Sequence, residues 1–490
     1  MFLAVDKSEW WHILLIIVPH NIAVTDTSIL WITGGSNNIE DDGQVELSDE
    51  EVLLLADIAV SNRMVAAVLF HIPNQSILFS EDVLQDHRKE DGIIAFTWWH
   101  YMNDPTRDAE YLLRLPMTKG AVKAMDTVSN FLTSDTAPEE IQALQLNPSQ
   151  FFVGGASKRG WTTWTTAAVD PRVIGILPVV MDELNFIENI RHHFRSYGGW
   201  SFALEDYWVL NITTYLDDPK LQDMMDIVDP FEHRDLMLMP KYVVNAANDE
   251  FFLPTDTTFW WEQMPGYHEL NRFILLPNTE HSMVTGLLEI LPTVNAWISQ
   301  ILSADQILKD KYGGERPGVE SIEDRNRASA ELMSVASVPR FNWTTDPETG
   351  DITVRSEVRP AGVHLWHAST CDNQRRDWRI ANLDDPCPCN FGLELPGEDL
   401  CPNLAVLWAS NPLEETEPGS LTWLAHRRPP IDGRYLAFYV SLSFNTSTGP
   451  SKEWPAGQAG VMDLSTTVSV VPTTFPYQDC AGQECLATLL

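Results

Sequence analysis

Three residues spaced 92 and 32 apart, Ser157, Asp249 and His281, are of the types that together perform acyl transfer. A serine hydroxyl is a weak nucleophile until an adjacent base takes its proton. An imidazole can take it, provided a carboxylate holds the ring in the right tautomer. Ser157 tops a small-residue turn, Gly154-Gly155-Ala156-Ser157, which follows the apolar run Phe151-Phe152-Val153. A helix-compatible run, Trp161 to Val169, comes next. Asp249 follows the apolar run Lys241 to Ala247, and His281 follows Arg272 to Pro277. Each has a plainer reading alone: a helix cap, a turn aspartate, a loop histidine. Three strand ends in the order Ser, Asp, His are harder to obtain by accident. Asp182 and Glu280 are rival acids; Asp249 ranks first because it ends the last strand before the histidine strand.

The anionic oxygen of a tetrahedral intermediate needs N–H donors. The residue after the nucleophile, Lys158, supplies one, and the turn Gly34-Gly35-Ser36 supplies others through Gly35 and Ser36. The serine turn departs from G-x-S-x-G: Arg159 holds the second glycine's place and Gly160 comes one later. The Lys158 and Arg159 side chains could attract an anionic group or be absorbed in ion pairs. A metal centre is not expected. No H-E-x-x-H occurs, His192-His193 cannot face one ligand site, and Cys387-Pro388-Cys389 is too close for finger spacing. No G-x-G-x-x-G follows a strand, so no dinucleotide is expected, and the reading is cofactor-free. Paired tryptophans such as Trp98-Trp99 and Trp260-Trp261 could stack on sugars but read better as packing.

Positioning three such residues requires a sheet. Trp11 to Pro19, Ser28 to Thr33, Met64 to His71 and Val173 to Val180 join the three runs above as strands. Helices are expected after a capping box with Ser48 as N-cap and Glu51 three residues on, over Lys119 to Phe131, and over Leu287 to Leu302. Continuous apolar strands alternating with helices mean a parallel sheet covered on both faces. The expectation is an α/β-hydrolase fold over residues 1–308, with an aromatic-rich helical cap inserted at about 184–239. A charged linker or helix comes after it, at 309–334. Residues 335–490 show short alternating runs between prolines, as in a β-sandwich-like domain.

Acidic residues outnumber basic ones 69 to 32, a net charge of −37 that disfavours nucleic acid and anionic membranes as partners. All six cysteines, Cys371, Cys387, Cys389, Cys401, Cys480 and Cys485, fall in the last 120 residues, as in a disulfide-bonded domain of an exported protein. Asn74, Asn211, Asn342 and Asn445 head glycosylation sequons. The nine-residue apolar run Trp10 to Val18 is too short to span a bilayer, comes after Asp6, Lys7 and Glu9, and lacks a cleavage site. No signal peptide is visible, and a truncated start is the expectation.

The chain resembles the PhoPQ-activated pathogenicity-related family. The likeness rests on Trp10-Trp11-His12, Ile32-Thr33-Gly34-Gly35-Ser36-Asn37, Arg114-Leu115-Pro116-Met117-Thr118-Lys119 and Lys123-Ala124-Met125-Asp126-Thr127. It continues in Gly155-Ala156-Ser157-Lys158-Arg159-Gly160-Trp161, Asn248-Asp249-Glu250-Phe251-Phe252 and Arg376-Asp377-Trp378-Arg379. The resemblance implies an α/β-hydrolase domain, a C-terminal β-rich domain and secretion, and puts Ser157, Asp249 and His281 on the family's triad positions. The expected function is a secreted serine hydrolase, an esterase or peptidase acting on a small ester or peptide. The alternative is a non-catalytic secreted signalling or binding protein with a cell-surface receptor.

Overall fold

The computed structural model describes residues 5–37, 45–267, 269–313, 319–383, 389, 401–446 and 460–490. Its centre is a seven-stranded sheet: β1 (Leu14–Ile17), β2 (Val24–Ile32), β3 (Met64–Leu69), β4 (Gln150–Ala156), β5 (Val173–Val179), β6 (Lys241–Ala246) and β7 (Asn271–Leu276), in the spatial order β1-β3-β2-β4-β5-β6-β7. β1 runs antiparallel to β3, and every other pair is parallel. β3 to β7, except half-buried Gln150 and Ala156 at the ends of β4, are buried at every position, as continuous apolar runs covered on both faces require. This is the α/β-hydrolase fold.

The connecting helices are α1 (Glu50–Asn62), α2 (Glu90–Asn103), α3 (Arg114–Thr133), α4 (Lys158–Val169), α5 (Phe186–Tyr197), α6 (Pro219–Val228) and α7 (Leu287–Lys311). The N-cap of α1 is Asp49 rather than the expected Ser48: its Oδ1 accepts from Glu51 N and Val52 N. Glu51 is drawn elsewhere, accepting from Trp31 Nε1 at 2.9 Å and from the Thr33 hydroxyl, which ties α1 to the end of β2. Between β5 and β6, α5, α6 and several short helical turns pack on α2 and α4 through Tyr207 Oη to Asp91 (3.0 Å) and Trp161 Nε1 to Val228 O (2.7 Å). Most of the described tryptophans go inward, with Trp98, Trp161, Trp164, Trp260, Trp261 and Trp297 among the largest fully buried side chains, while Trp99 is half-buried and Trp11 exposed.

α8 (Ile322–Val335) is held by the buried Arg325 guanidinium, which donates to the carbonyls of Ala167, Asp170 and Leu236. Beyond it lie β8 (Phe341–Thr345), β9 (Ile352–Ser356), β10 (Gly362–Ser369), β11 (Ala409–Pro412), β12 (Thr422–Ala425), β13 (Leu436–Thr446), β14 (Gly460–Ser465) and β15 (Ser469–Val471). They form two antiparallel sheets, β8-β9-β12 and β11-β10-β13-β14, with β15 also on β13. These sheets dock on the β7 edge: Tyr439 Oη donates to Leu275 O and Leu275 N to Ser465 Oγ. Disulfides join Cys371 to Cys389 and Cys480 to Cys485. Cys401 is also disulfide-bonded, and Cys387 lies outside the described residues. Asn211, Asn342 and Asn445 are exposed. Asn74 is not a glycan acceptor in the folded chain, because it is fully buried. Among the described residues no helix is long and apolar enough to cross a membrane.

Candidate active site

Strand register brings the strand-end turns together. Ile32 pairs with Gly155, Ala156 with Val179, Val179 with Val244, and Val244 with Ile274, so β2, β4, β5, β6 and β7 end at one edge. Ser157 adopts φ 56°, ψ −127°, a left-handed conformation costly for a residue with a Cβ. Its N–H donates to Val179 O at 2.9 Å, which pins the turn to the neighbouring strand. Two glycines permit it. A Cβ on Gly155 would lie 2.9 Å from the Ile32 and Arg159 carbonyl oxygens. One on Gly160 would lie 2.7 Å from Met181 Cβ. The displaced second glycine is thus used where α4 crosses β5, while the Arg159 side chain points away to the Ile72 carbonyl (2.6 Å).

His281 Nε2 lies 2.9 Å from Ser157 Oγ, and His281 Nδ1 lies 2.9 and 2.8 Å from the two carboxylate oxygens of Asp249. The Asp249 side chain is 1 % exposed and that of His281 16 %, so the carboxylate is sealed from solvent while the imidazole is partly exposed. Asp249 Oδ1 also accepts from Phe251 N (2.7 Å) and Phe252 N (3.1 Å), fixing the carboxylate within its own turn. The Phe251 ring packs 4.4 Å from the imidazole. The rival acids are engaged elsewhere. Asp182 accepts from Thr257 Oγ1 (2.5 Å) and Trp260 Nε1 (2.8 Å), and burial pushes its carboxyl up to about 7. Glu280 accepts from Ser282 and Thr285.

Three backbone N–H groups, those of Lys158, Gly35 and Ser36, have no acceptor among the described residues. Lys158 opens α4, whose first N–H groups have no intrahelical partner. Gly35 has φ 105°, and a Cβ there would lie 2.8 Å from the His71 ring. The β2 turn thus depends on a glycine, and its carbonyl is held by Gln75 Nε2 at 2.9 Å.

The basic side chains after the serine are both consumed. Lys158 Nζ meets Glu90 Oε2 (3.0 Å) and Asp91 Oδ2 (2.8 Å), and Arg159 Nη2 meets Glu90 Oε1 (2.6 Å). Burial opposes ionisation of Glu90, but the Arg159 and Lys158 cations outweigh it and hold its carboxyl below the usual range. The pair is therefore structural, anchoring the first turn of α4 to α2.

Glu250, next to the acid, was not singled out by sequence reasoning. Its Oε2 accepts the His281 backbone N–H at 3.0 Å. Burial, and then the Asp249 charge, push its carboxyl up to about 7. Its sequence signals were adjacency to Asp249 and a place in the Asn248-Asp249-Glu250-Phe251-Phe252 stretch. His192 and His193 diverge, His192 to Thr255 Oγ1 and His193 to Ser201 N. Among the described residues no cluster of His, Cys, Asp or Glu is grouped as a metal site requires. A groove of about 540 Å³ lies between the N-terminal segment and α3, lined by Trp10, Trp11, His12 and Lys119. Ser157, Asp249 and His281 do not line it.

Residues 3–309 match the family described as PhoPQ-activated pathogenicity-related protein. The chain is 31 % identical over 484 residues to autocrine proliferation repressor protein A of Dictyostelium discoideum, covering 97 % of this chain and 84 % of that protein. Among solved structures it is similar to Est1E from Butyrivibrio proteoclasticus (12 % identity, 59 % of this chain and 93 % of that one, TM-score 0.33). It is also similar to an acetyl xylan esterase from Paenibacillus sp. R4 (12 % identity, 57 % and 78 %, TM-score 0.38). Neither structural likeness bears on chemistry.

Proposed function

This chain belongs to the PhoPQ-activated pathogenicity-related family, and from that premise we propose that it is an exported serine hydrolase transferring acyl groups to water. One observation carries the reading: His281 bridges Ser157 Oγ and the Asp249 carboxylate within 2.9 Å on both sides, with Ser157 held at positive φ. A helix cap or a loop histidine has no need of either arrangement.

His281 Nε2 takes the Ser157 proton as Oγ attacks a carbonyl carbon, and later returns a proton to the leaving group. Asp249 keeps Nδ1 protonated and stabilises the imidazolium. The N–H groups of Lys158, Gly35 and Ser36 receive the oxyanion. Water then attacks the acyl-enzyme with His281 again as base. This chemistry needs no cofactor, and the substrate is a small ester or a peptide. Two disulfides and three sequons whose asparagines are exposed support an extracellular setting.

The relative's name supports a second reading, a proliferation-repressing signal that acts through a receptor and leaves the serine idle. A fluorophosphonate probe separates the two. The hydrolase reading expects labelling of the wild type and none of Ser157→Ala. Absence of labelling in folded wild type favours the signal.

A further inference from the structure

We propose that the C-terminal region clamps the two turns that carry Asp249 and His281, and that Asn248 and Asn278 are its positioning residues. The inference rests on the serine-hydrolase reading and assigns the β-rich region a part in it.

Asn248 is the hub. It is fully buried, and its backbone and side chain make contacts in three directions. Its N–H donates to Thr279 O at 3.0 Å, which ties the acid turn to the histidine turn. Its carbonyl accepts from Ile380 N at 3.3 Å. Its side-chain Nδ2 donates to Trp378 O (2.7 Å) and Val406 O (3.3 Å). Three of these four bonds cross to the C-terminal region, from the residue immediately before Asp249.

The histidine turn is held in the same way. Asn278 Nδ2 donates to Trp408 O at 3.1 Å, and Asn278 Oδ1 accepts from Trp408 N at 2.7 Å. A third tie reaches the acid turn through Ser201, whose hydroxyl donates to Glu250 O and accepts from Arg379 Nη1 at 3.1 Å. The Arg379 side chain is fully buried and forms a two-pronged pair with Asp377. The Arg376-Asp377-Trp378-Arg379 stretch is therefore built against the acid turn rather than against the C-terminal sheets alone.

The ties matter because the Asp249 and His281 turns are loops beyond their strands, and loops are the mobile part of a fold. A bond geometry of 2.8–2.9 Å on each side of an imidazole requires both turns to hold a fixed separation. The strand ladder pairs the two segments up to Ala246 and Leu276, and Ala247 N to Leu276 O (2.9 Å), Asn248 N to Thr279 O (3.0 Å) and His281 N to Glu250 Oε2 (3.0 Å) join them beyond it. The Asn248 and Asn278 bonds to the C-terminal region brace both turns from outside, against one common support.

The test uses the full chain with Asn248→Ala and Asn278→Gly. Asn278 has φ 56°, so glycine keeps its backbone conformation while cutting both bonds to Trp408. Neither side chain touches the reacting atoms. Fluorophosphonate labelling is timed across pH, with folding monitored by circular dichroism. The clamp expects labelling to slow by about 10- to 100-fold in folded variants, as small misplacements of a catalytic group do. It also expects the acid limb of the rate to move to lower pH, because a loosened Asp249 stabilises the imidazolium less. A rate within about threefold of wild type and an unmoved limb overturn it. A slower rate with an unmoved limb also overturns it, since a merely structural role does that. If Asn248→Ala fails to fold, Asn278→Gly decides. Absence of labelling in folded wild type sinks the hydrolase reading itself, and the clamp with it.

Discussion

Replacing Asp249 by asparagine changes one atom, and the surrounding bonds dictate the consequence. Oδ1 of Asp249 accepts two backbone N–H groups, from Phe251 and Phe252, besides facing His281 Nδ1. An asparagine must therefore place its oxygen at that position, because an NH₂ there would oppose two donors. Its NH₂ then occupies the Oδ2 position, 2.8 Å from His281 Nδ1. A donor facing Nδ1 makes that nitrogen the acceptor and puts the ring proton on Nε2. An Nε2–H cannot take the Ser157 proton. Size and burial are unchanged, so folding should be kept. The loss expected from a wrong tautomer is about 10⁴-fold in acylation, or about 5.5 kcal/mol of transition-state stabilisation. Timed fluorophosphonate labelling at neutral pH reads it directly. Labelling of folded Asp249→Asn within about tenfold of wild type would refute the tautomer argument and the role of Asp249.

Three further outcomes are expected. Burial and the Asp249 charge raise the Glu250 carboxyl to about 7, so it is neutral on the acid side of that pH; Glu250→Gln, which keeps an acceptor for the His281 N–H, should therefore leave the acid limb of the labelling rate where it is in the wild type, and a limb moved to lower pH would show that Glu250 is charged there. Gly160→Ala puts a Cβ 2.7 Å from Met181 Cβ and 3.1 Å from Val179 O, and should cost about 1–3 kcal/mol in denaturant unfolding. An unchanged midpoint would contradict the close crossing of α4 over β5. Asp182 and Asp229 are each raised by burial to about 7, so the unfolded chain releases their protons first as pH rises. Stability should therefore fall as pH rises between about 4 and 7, by at most about 1.4 kcal/mol per unit for each group. Asp182→Asn should flatten that slope in thermal melts; an unchanged slope would show that Asp182 is ionised when folded.

The sheet was legible because its strands are buried on both faces and so read as unbroken apolar runs, as in Met64–Leu69 and Val173–Val179. α2 was not read, for a related reason. Gly92 to Trp98 are buried without a break, so the helix has no polar face and no 3.6-residue stripe. Of the candidate site, Ser157, Asp249 and His281 were legible as residues just past such runs. The fate of Lys158 and Arg159 was not. Their partners Glu90 and Asp91 lie nearly seventy residues upstream, and charge pairing across the fold has no periodicity. Ser48 failed as a cap because Asp49 competes one residue later with a stronger acceptor. The docking of Trp378, Val406 and Trp408 on the acid and histidine turns was equally hidden, since carbonyl acceptors leave no mark in a sequence.

The proposed hydrolase stands or falls on Ser157 being an activated nucleophile. Its most direct test is mass-spectrometric mapping of the residue modified by a fluorophosphonate on the folded chain. A single adduct on Ser157 is expected, lost in Ser157→Ala and in His281→Ala. Folded wild type that stays unmodified, or that carries its adduct elsewhere, would contradict it.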